Sequence, residues 1–425
     1  MKKRLTGLLT AAVLCVSALA GCSATENAGG AAQTADQPAT AASGGAATEV
    51  SGEQFVMSAQ DIKVGAIVIG DENEGSTAAH LNGLEGMKAA LGLTDEQLLV
   101  KTNIADTEAC YDAATDLVDQ GCNIIFANSF GHETYLMQAA EEHPEVQFCH
   151  ATGYQAALSG LENFHNYFTA IYQSRYVSGV VAGMKINEMI ENGEIMEEDA
   201  KIGYVGAFPF AEVISGFTSF YLGAKSVCPS VTMTVRYTNS WGDLSLEKEM
   251  AKQMVADGCV LLSQHSDAVG TPTGAQESGV PCVGYNISMI SAAPDSALTS
   301  ATMDWSVYYT YAVKSVLEGT PIATDWAQGY PEGVNLITEL NEAIVAEGTA
   351  EKVAEIEAQL TAGTLNVFDT STFTVGGKTL EELIAEGGDY AKYADYVSDG
   401  YFHESELASA PAFDLIIDGI DAQVD

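Results

Sequence analysis

The chain has 425 residues, of which 47% are hydrophobic, and its 58 acidic against 17 basic residues give a formal net charge of −41. Such a surface repels nucleic acid and anionic lipid, so the charge excludes proteins whose binding depends on a basic patch. The length exceeds what one hydrophobic core usually serves, so we expect more than one lobe.

The N-terminal segment has the layout of a secretory signal. Basic residues 2–4 precede an apolar run over 8–20, and small residues come directly before Cys22. This order predicts a lipoprotein signal peptide over 1–21, with Cys22 lipidated and the chain anchored to the bacterial cell membrane, outside the cytoplasm, by acyl chains alone. The alternatives are an ordinary signal peptide and a spanning helix, although the run is shorter than the about 20 residues that cross a bilayer.

Residues 22–59 predict a flexible tether. The stretch consists mostly of Ala, Gly, Ser, Thr and Gln, which contribute almost nothing to a core. It therefore does not offset its own ordering entropy, and its expected role is a leash between the anchor and a folded domain.

Two series of alternating strands and helices follow the tether. Continuous apolar runs predict strands over 63–69, 98–104, 123–128 and 146–150, then over 201–206, 232–236, 260–264 and 281–285. Helical patterns lie between them at 78–91, 108–120 and 134–143, then at 211–227, 246–257 and 268–278. Such runs are typical of strands buried on both faces of a parallel sheet, so each series predicts a doubly wound α/β lobe.

A late helix and a tail complete the expected architecture. Apolar and aromatic positions over 305–317, ended by Gly319, predict a helix that crosses back to the first lobe. The predicted first lobe is 60–171 plus 298–325, and the predicted second lobe is 172–297 plus 326–425. Lobes of this kind face each other across a cleft at the carboxyl ends of their strands, as in the type I periplasmic-binding-protein fold.

Six cysteines lie in the predicted lobes, and none has C-x-x-C spacing: Cys110, Cys122, Cys149, Cys228, Cys259 and Cys282. This spacing excludes a zinc ribbon or a thioredoxin-like site. Buried free thiols are the default expectation, and pairing into disulfides outside the cytoplasm stays open as the alternative.

Five stretches in order carry a family resemblance. They begin at residues 63 (KVGAIVIGDENEGSTAAHLNGLEGM), 174 (SRYVSGVVAGM), 201 (KIGYVGAFPFAEVISGFTSFYLGAKSV), 239 (NSWGDLSLEKEMAKQMVADGCVLLSQHSD) and 296 (SALTSATMDWSVYY). The chain thereby resembles the basic membrane protein (BMP) family of ABC-transporter substrate-binding lipoproteins, whose characterised members mainly bind purine nucleosides. The resemblance implies lobes that close on a small molecule and then dock on a permease.

Two of the family's nucleoside-site motifs differ in this chain. The family has a Gly-Phe-Asn-like step whose ring stacks on the purine, whereas this chain has Gly-Ser-Thr at 75–77, with Asp71 retained upstream. Nucleoside binders carry a ribose-holding lysine after a Thr-Ser pair, whereas the pair at 299–300 leads here to Met-Asp-Trp at 303–305. The resemblance therefore implies a purine base or related heterocycle as the ligand, with a purine nucleoside as the alternative.

The residues predicted to bind the ligand follow predicted strands or begin helices: Asp71, Ser76, Thr77, Asn128, Phe130, Trp241, Asp267, Tyr285, Asp304 and Trp305. Trp241 is the first choice for stacking, and its alternative role is burial beneath the crossover helix. Asp267 is expected to accept from a ligand N–H, and its alternative role is a helix N-cap.

No complete catalytic motif occurs, and the seven histidines have no ligand spacing. We therefore predict a solute-binding protein of an ABC importer, not an enzyme, without cofactor or metal. Its expected partners are a small molecule, an ABC permease and, through the anchor only, the membrane, with no nucleic acid. A ligand sensor feeding a membrane receptor is the alternative, because the same lobe closure serves both roles.

Overall fold

The computed structural model describes residues 57–422. The predicted signal peptide, Cys22 and the predicted tether up to residue 56 lie outside these residues. Within the described range, no helix combines the length and the apolar character needed to cross a membrane.

Strands and helices alternate along most of the described chain. The strands are β1 Val64–Ile67, β2 Leu98–Lys101, β3 Ile124–Ala127, β4 Gln147–Ala151, β5 Phe164–Thr169, β6 Lys201–Gly206, β7 Thr232–Tyr237, β8 Leu261–His265, β9 Cys282–Tyr285, β10 Ala297–Met303, β11 Asp325–Gln328, β12 Asn335–Ile337, β13 Val397–Ser398, β14 Tyr401–Phe402 and β15 Ile420–Ala422. The α-helices are α1 Gly75–Leu91, α2 Ala109–Asp119, α3 Glu133–Glu142, α4 Ala156–Ser159, α5 Ile171–Glu191, α6 Ala211–Val227, α7 Leu244–Ala256, α8 Gly270–Ser278, α9 Ser306–Glu318, α10 Thr349–Thr361 and α11 Leu380–Glu386. Short 3-10 helices lie at Asp95–Gln97, Phe130–His132, Glu197–Asp199, Tyr330–Glu332 and Gly388–Tyr393.

The first lobe is built on a parallel sheet in the order β11-β5-β4-β3-β1-β2. Strands β1, β3 and β5 are buried along their whole length because helices cover both faces. Helices α1 and α9 pack on one face, and α2 and α3 pack on the other. This arrangement confirms the doubly wound lobe expected from the continuous apolar runs.

The second lobe repeats the pattern around a sheet in the order β12-β10-β9-β8-β6-β7-β15. Its pairs are parallel, except that β12 runs antiparallel to β10. Helices α5, α6 and α10 and the C-terminal segment cover one face, and α7 and α8 cover the other. Helices α5 and α6 approach closely, because a Cβ at Gly179 would overlap the backbone of Phe220.

The lobe boundaries differ from the predicted ranges at two places. Residues 298–303 were expected in the first lobe, but they lie in β10, which pairs with β9 in the second sheet. Residues 326–328 were expected in the second lobe, but they lie in β11, which pairs with β5 in the first sheet. Between these strands, α9 crosses to the first lobe and ends at Gly319, whose φ of 66° is the left-handed cap that glycine favours.

The C-terminal segment, residues 365–422, covers the second lobe and reaches the first. Phe368 stacks on Phe413 at 4.4 Å, and the buried Glu404 accepts a hydrogen bond from Ser215 in α6 at 2.6 Å. The backbone N–H of Ser409 donates to the Asp325 carboxylate at the start of β11, at 2.6 Å. The segment therefore contacts both lobes where the chain crosses between them.

The six cysteines of the predicted lobes are free and buried. Burial raises the pKa of the Cys149 and Cys282 thiols to about 12, which keeps them protonated at neutral pH. The structure thus corresponds to the expectation of buried free thiols and not to the alternative of disulfides.

Candidate ligand-binding site

A cavity lies between the lobes, where the carboxyl ends of β1, β3, β8 and β9 meet. It is lined by Ile69, Ser76, His80, Asn128, Ser129, Phe130, Thr152 and Phe168 from the first lobe, by Glu212, Trp241, His265, Asp267, Tyr285, Asn286 and Met303 from the second, and by Trp305 at the crossing. Its volume is about 40 Å³, whereas clefts for drug-sized ligands measure roughly 300–1,000 Å³. The lobes therefore lie close together around the cavity.

Seven of the ten predicted ligand-binding residues line this cavity: Ser76, Asn128, Phe130, Trp241, Asp267, Tyr285 and Trp305. The other three make local contacts instead. The Asp71 carboxylate accepts from the backbone N–H two residues later, and the buried Thr77 hydroxyl accepts from the N–H of Gly70. Asp304 accepts from the backbone N–H of Ser306, the first residue of α9. Their side chains hold the ends of elements and do not face the cavity.

Aromatic rings from both lobes meet at the opening of the cavity. Phe130 of the first lobe, which is 36% exposed, stacks on Phe210 of the second at 5.3 Å and 29°. Phe210 stacks in turn on Phe208 at 5.1 Å, and Phe208 meets Trp241 edge-on at 5.2 Å. These four residues form an aromatic mouth that joins the lobes, and two of them, Phe130 and Trp241, line the cavity with flat apolar surface.

A second aromatic group lies deeper in the cavity, around Trp305. His80 stacks on the Trp305 ring at 4.3 Å and 15°, and its Nδ1 is 2.6 Å from the Tyr309 hydroxyl. Burial lowers the pKa of His80 to about 3, so this wall carries no charge at neutral pH. His80 was not predicted, although it lies one helical turn after Ser76 on the same face of α1.

The first lobe contributes a hydrogen-bond donor that has no partner in the described residues. The Asn128 Oδ1 accepts from the backbone N–H of Ile69 at 3.0 Å, which fixes the orientation of the amide. The Asn128 Nδ2 is then left without a partner, on a residue that is only 7% exposed and lines the cavity. A buried unpaired donor is costly, so this amide group points to an acceptor on the ligand.

The second lobe contributes the Asp267 carboxyl. Its Oδ1 accepts from Asn286 Nδ2 at 2.7 Å, and burial, followed by the neighbouring Glu74 carboxyl, raises the pKa of Asp267 well above its usual range. The backbone N–H of Gly75 donates to the Asp267 carbonyl at 2.8 Å and so links the lobes. The N-cap alternative does not hold, because α8 begins at Gly270 with Val269 as its cap.

Two further polar residues, Glu212 and His265, also line the cavity and were not predicted. Glu212 Oε1 lies 3.4 Å from His265 Nε2, and burial raises the pKa of Glu212 to about 7 against the opposing charge of Arg175. The Arg175 guanidinium lies behind the cavity wall, 3.5 Å from the centre of the Tyr285 ring. The sequence signal for His265 was its place at the carboxyl end of β8, where ligand contacts concentrate, whereas Glu212 lies in the first turn of α6.

The polar groups in the cavity lining include no cation. The lining contains carboxyls, hydroxyls, amides and neutral histidines, but no lysine or arginine. Across residues 57–422, no group of three or more His, Cys, Asp or Glu residues is arranged to hold a metal ion. The site therefore suits a flat, neutral molecule that has N–H donors, and it repels phosphates and carboxylates.

Comparison with known proteins gives one family match and two relatives that are named for different ligands. The family model described as "ABC transporter substrate-binding protein PnrA-like" matches residues 68–364. A purine-binding protein from Brucella abortus is 31% identical over 73% of this chain and 83% of its own length. An ABC transporter protein from Haloferax volcanii named for glucose binding is 32% identical over 62% of this chain and 63% of its own.

A solved structure supports the fold. A solute-binding protein of an ABC transporter system from Conexibacter woesei superposes with a TM-score of 0.58 at 20% identity, over 72% of this chain and 98% of that one. At this identity the likeness shows the two-lobed architecture and does not show which ligand is bound.

Proposed function

Because the chain belongs to the Bmp family of ABC transporter substrate-binding proteins, we propose that it binds a purine base in the cleft between its lobes. Members of this family bind a small molecule outside the cytoplasm and deliver it to the permease of an importer. The observation that carries the choice of ligand is the pairing of a neutral donor, Asn128, on one lobe with a carboxyl acceptor, Asp267, on the other.

A purine base matches this pairing in shape and in polarity. Its flat ring suits the aromatic mouth, where Trp241 and Phe130 line the cavity from opposite lobes. Its ring nitrogens or carbonyl oxygen accept from Asn128 Nδ2, and its amine or ring N–H donates to Asp267. Nucleotides are excluded because no cation in the lining offsets the charge of a phosphate. The name of the Brucella relative supports the same class of ligand.

Binding to both lobes explains how the ligand controls delivery. A molecule that contacts Asn128 and Asp267 together is bound fully only when the lobes are closed. It therefore shifts the population toward the closed form by the difference between its affinities for the closed and open forms. The closed, ligand-bound form is the one that a permease distinguishes from the empty protein.

A ligand panel tests this proposal. Thermal shift and titration calorimetry on the full chain are run with adenine, guanine, hypoxanthine, xanthine, their nucleosides, uracil and glucose. A ligand that binds only the native state adds RT ln(1 + [L]/Kd), which is about 2.7 kcal/mol at a hundred times Kd. We expect stabilisation by one or more free purine bases. Stabilisation confined to glucose, or confined to nucleosides, would contradict the assignment.

We also propose that Cys22 carries a lipid and anchors the protein to the outer face of the cell membrane. The support is the signal layout of residues 1–21 and the small residues before the cysteine. Labelling with a radioactive fatty acid is expected to mark the wild type but not Cys22→Ala, which we expect to leave the membrane fraction. Equal labelling of both proteins would remove Cys22 from this role.

A further inference from the structure

Glu212 and His265 form a polar pair in the second-lobe wall of the cleft. Glu212 lies in the first turn of α6, and His265 ends β8, whose neighbour β6 runs directly into that helix. The ring of His265 has little freedom, because a Cβ at Gly216 of α6 would lie 2.5 Å from its Nδ1. The imidazole is thus fixed by the helix, and it in turn fixes the carboxyl of Glu212 at the cavity.

The Glu212 carboxyl has capacity left for a further hydrogen bond. A carboxylate offers about four acceptor positions, yet the described partner of Glu212 is His265 alone, at the long distance of 3.4 Å. Its side chain is 14% exposed, toward the cavity that it lines. Burial raises the pKa of Glu212 to about 7, and the positive charge of Arg175, behind the wall, opposes this rise. A largely buried acceptor with so few partners is costly unless a ligand donates to it.

We propose that Glu212, positioned by His265, is a specificity-determining residue that accepts the N–H of the five-membered ring of a free purine base. The proposal rests on the proposed purine binding. Asp267 and Glu212 are separate acceptors, so together they require two N–H groups on the ligand, while Asn128 supplies the donor for an acceptor atom. A free base has both N–H groups. In a nucleoside the nitrogen of the five-membered ring is bonded to the sugar, so one acceptor stays unsatisfied.

A purely structural role for Glu212 predicts a different outcome. An acidic residue in the first turn of a helix interacts favourably with the helix dipole, and the contact with His265 adds to that effect. If stability were its only role, removing the carboxylate would weaken all ligands equally. A role in recognition instead weakens only the ligands that carry the N–H that Glu212 accepts.

The test measures affinity for adenine and for 9-methyladenine, in which the N–H is replaced by a methyl group, using titration calorimetry. For the wild-type full chain we expect adenine to bind at least about tenfold more tightly, since 9-methyladenine has no N–H to donate to the Glu212 carboxyl. In Glu212→Gln and Glu212→Met we expect adenine affinity to fall by about tenfold to a hundredfold. The affinity for 9-methyladenine is expected to stay within about twofold, so that the preference for adenine disappears.

Glu351→Gln is the matched control, because Glu351 is an exposed glutamate in the first turn of α10, away from the cleft. It is expected to leave both affinities unchanged, and thermal melts report whether each variant folds. Equal losses for the two ligands in the Glu212 variants overturn the inference.

If neither Glu212 variant folds, the wild type still decides the question, because equal affinity for adenine and 9-methyladenine also overturns the inference. If no purine binds the wild type at all, the proposed function itself fails, which is a distinguishable result.

Discussion

The two lobes bring different chemistry to the cleft. The first-lobe residues that line the cavity include Asn128 but no carboxyl. They also include His80, which is neutral because burial lowers its pKa to about 3. The second lobe contributes two carboxyls, Asp267 and Glu212. The first lobe thus presents an unpaired hydrogen-bond donor, whereas the second presents two carboxyl acceptors.

This division means that neither lobe alone can satisfy a ligand that has both donors and acceptors. A carbonyl or ring nitrogen finds its partner on the first lobe, and an N–H finds its partner on the second. Closure is therefore required for full binding, and it links recognition to the conformation that is delivered. Making the lobes more alike should weaken binding without unfolding either of them.

The largest expected effect comes from replacing the carboxyl group of Asp267 with an amide. Asp267→Asn keeps an oxygen for Asn286, but it places an amide where the ligand needs an acceptor, so purine affinity is expected to fall by about a hundredfold or more. Stability is expected to be equal or higher, because burial raises the pKa of Asp267 and ionisation is therefore unfavourable. Calorimetric titration and thermal melts measure both effects. The control is Asp295→Asn, at an exposed position of the same lobe, and unchanged affinity in Asp267→Asn would remove this acceptor from the site.

The next effect comes from the aromatic mouth on the second-lobe side. Trp241→Ala removes a partly buried ring that lines the cavity, and base–aromatic stacking is worth about 1–3 kcal/mol. We therefore expect affinity to fall by about tenfold to a hundredfold while the melting temperature changes little. Leu246→Ala, at an exposed position near the start of α7, is the control. If both substitutions give the same affinity, Trp241 does not stack on the ligand.

A smaller effect is expected from making the first lobe resemble the second. Asn128→Asp keeps the oxygen that accepts from the Ile69 N–H, but it replaces the donor that faces the cavity with an acceptor. Purine affinity is expected to fall by about tenfold, the size of one lost hydrogen bond. The exposed Asn73→Asp adds the same charge outside the cavity and serves as its control. Equal affinities in the two variants would show that charge, not the loss of the donor, weakens binding.

Much of the fold was predictable because most strands of the two parallel sheets are continuous apolar runs. Strand β5 was missed since its sequence, FHNYFT, places polar residues inside the sheet. There Asn166 is buried and bonded to Glu133, a pairing 33 residues apart that no local pattern reveals. The same limit moved the lobe boundaries, because sheet membership of β10 and β11 is decided by pairing and not by composition.

The site was predictable where a residue directly follows a strand of the sheet. Asn128 and Asp267 were found in this way, because the topology brings such positions to the cleft. Glu212 and His80 lie inside helices, so their exposure to the cavity depends on how α6 and α1 pack. Asp304 shows the opposite error, because it was predicted to bind the ligand and does not line the cavity. Its carboxylate accepts from the backbone N–H of Ser306 instead, and an acidic residue just before a helix suits either role.

The last expected effect is on stability and not on affinity, and it extends the contrast between the lobes to pH. Burial raises the pKa of Glu404, in the segment that covers the second lobe, to about 7. The folded state therefore holds this proton more tightly than the unfolded state, so this contribution to stability is full below the ordinary glutamate pKa of 4.5 and is lost as pH rises to about 7. The glutamine in Glu404→Gln cannot ionise, so the free energy of unfolding of this variant is expected to rise relative to that of the wild type across this range, by up to about 3 kcal/mol. His165 of the first lobe, whose pKa burial lowers to about 4, gives the opposite sign, because the folded state then binds fewer protons and stability rises with pH up to about 6.5. Chemical denaturation of the wild type and of Glu404→Gln from pH 4.5 to 8 measures the difference between their free energies of unfolding. A difference that does not change with pH would mean that Glu404 ionises normally in the folded protein.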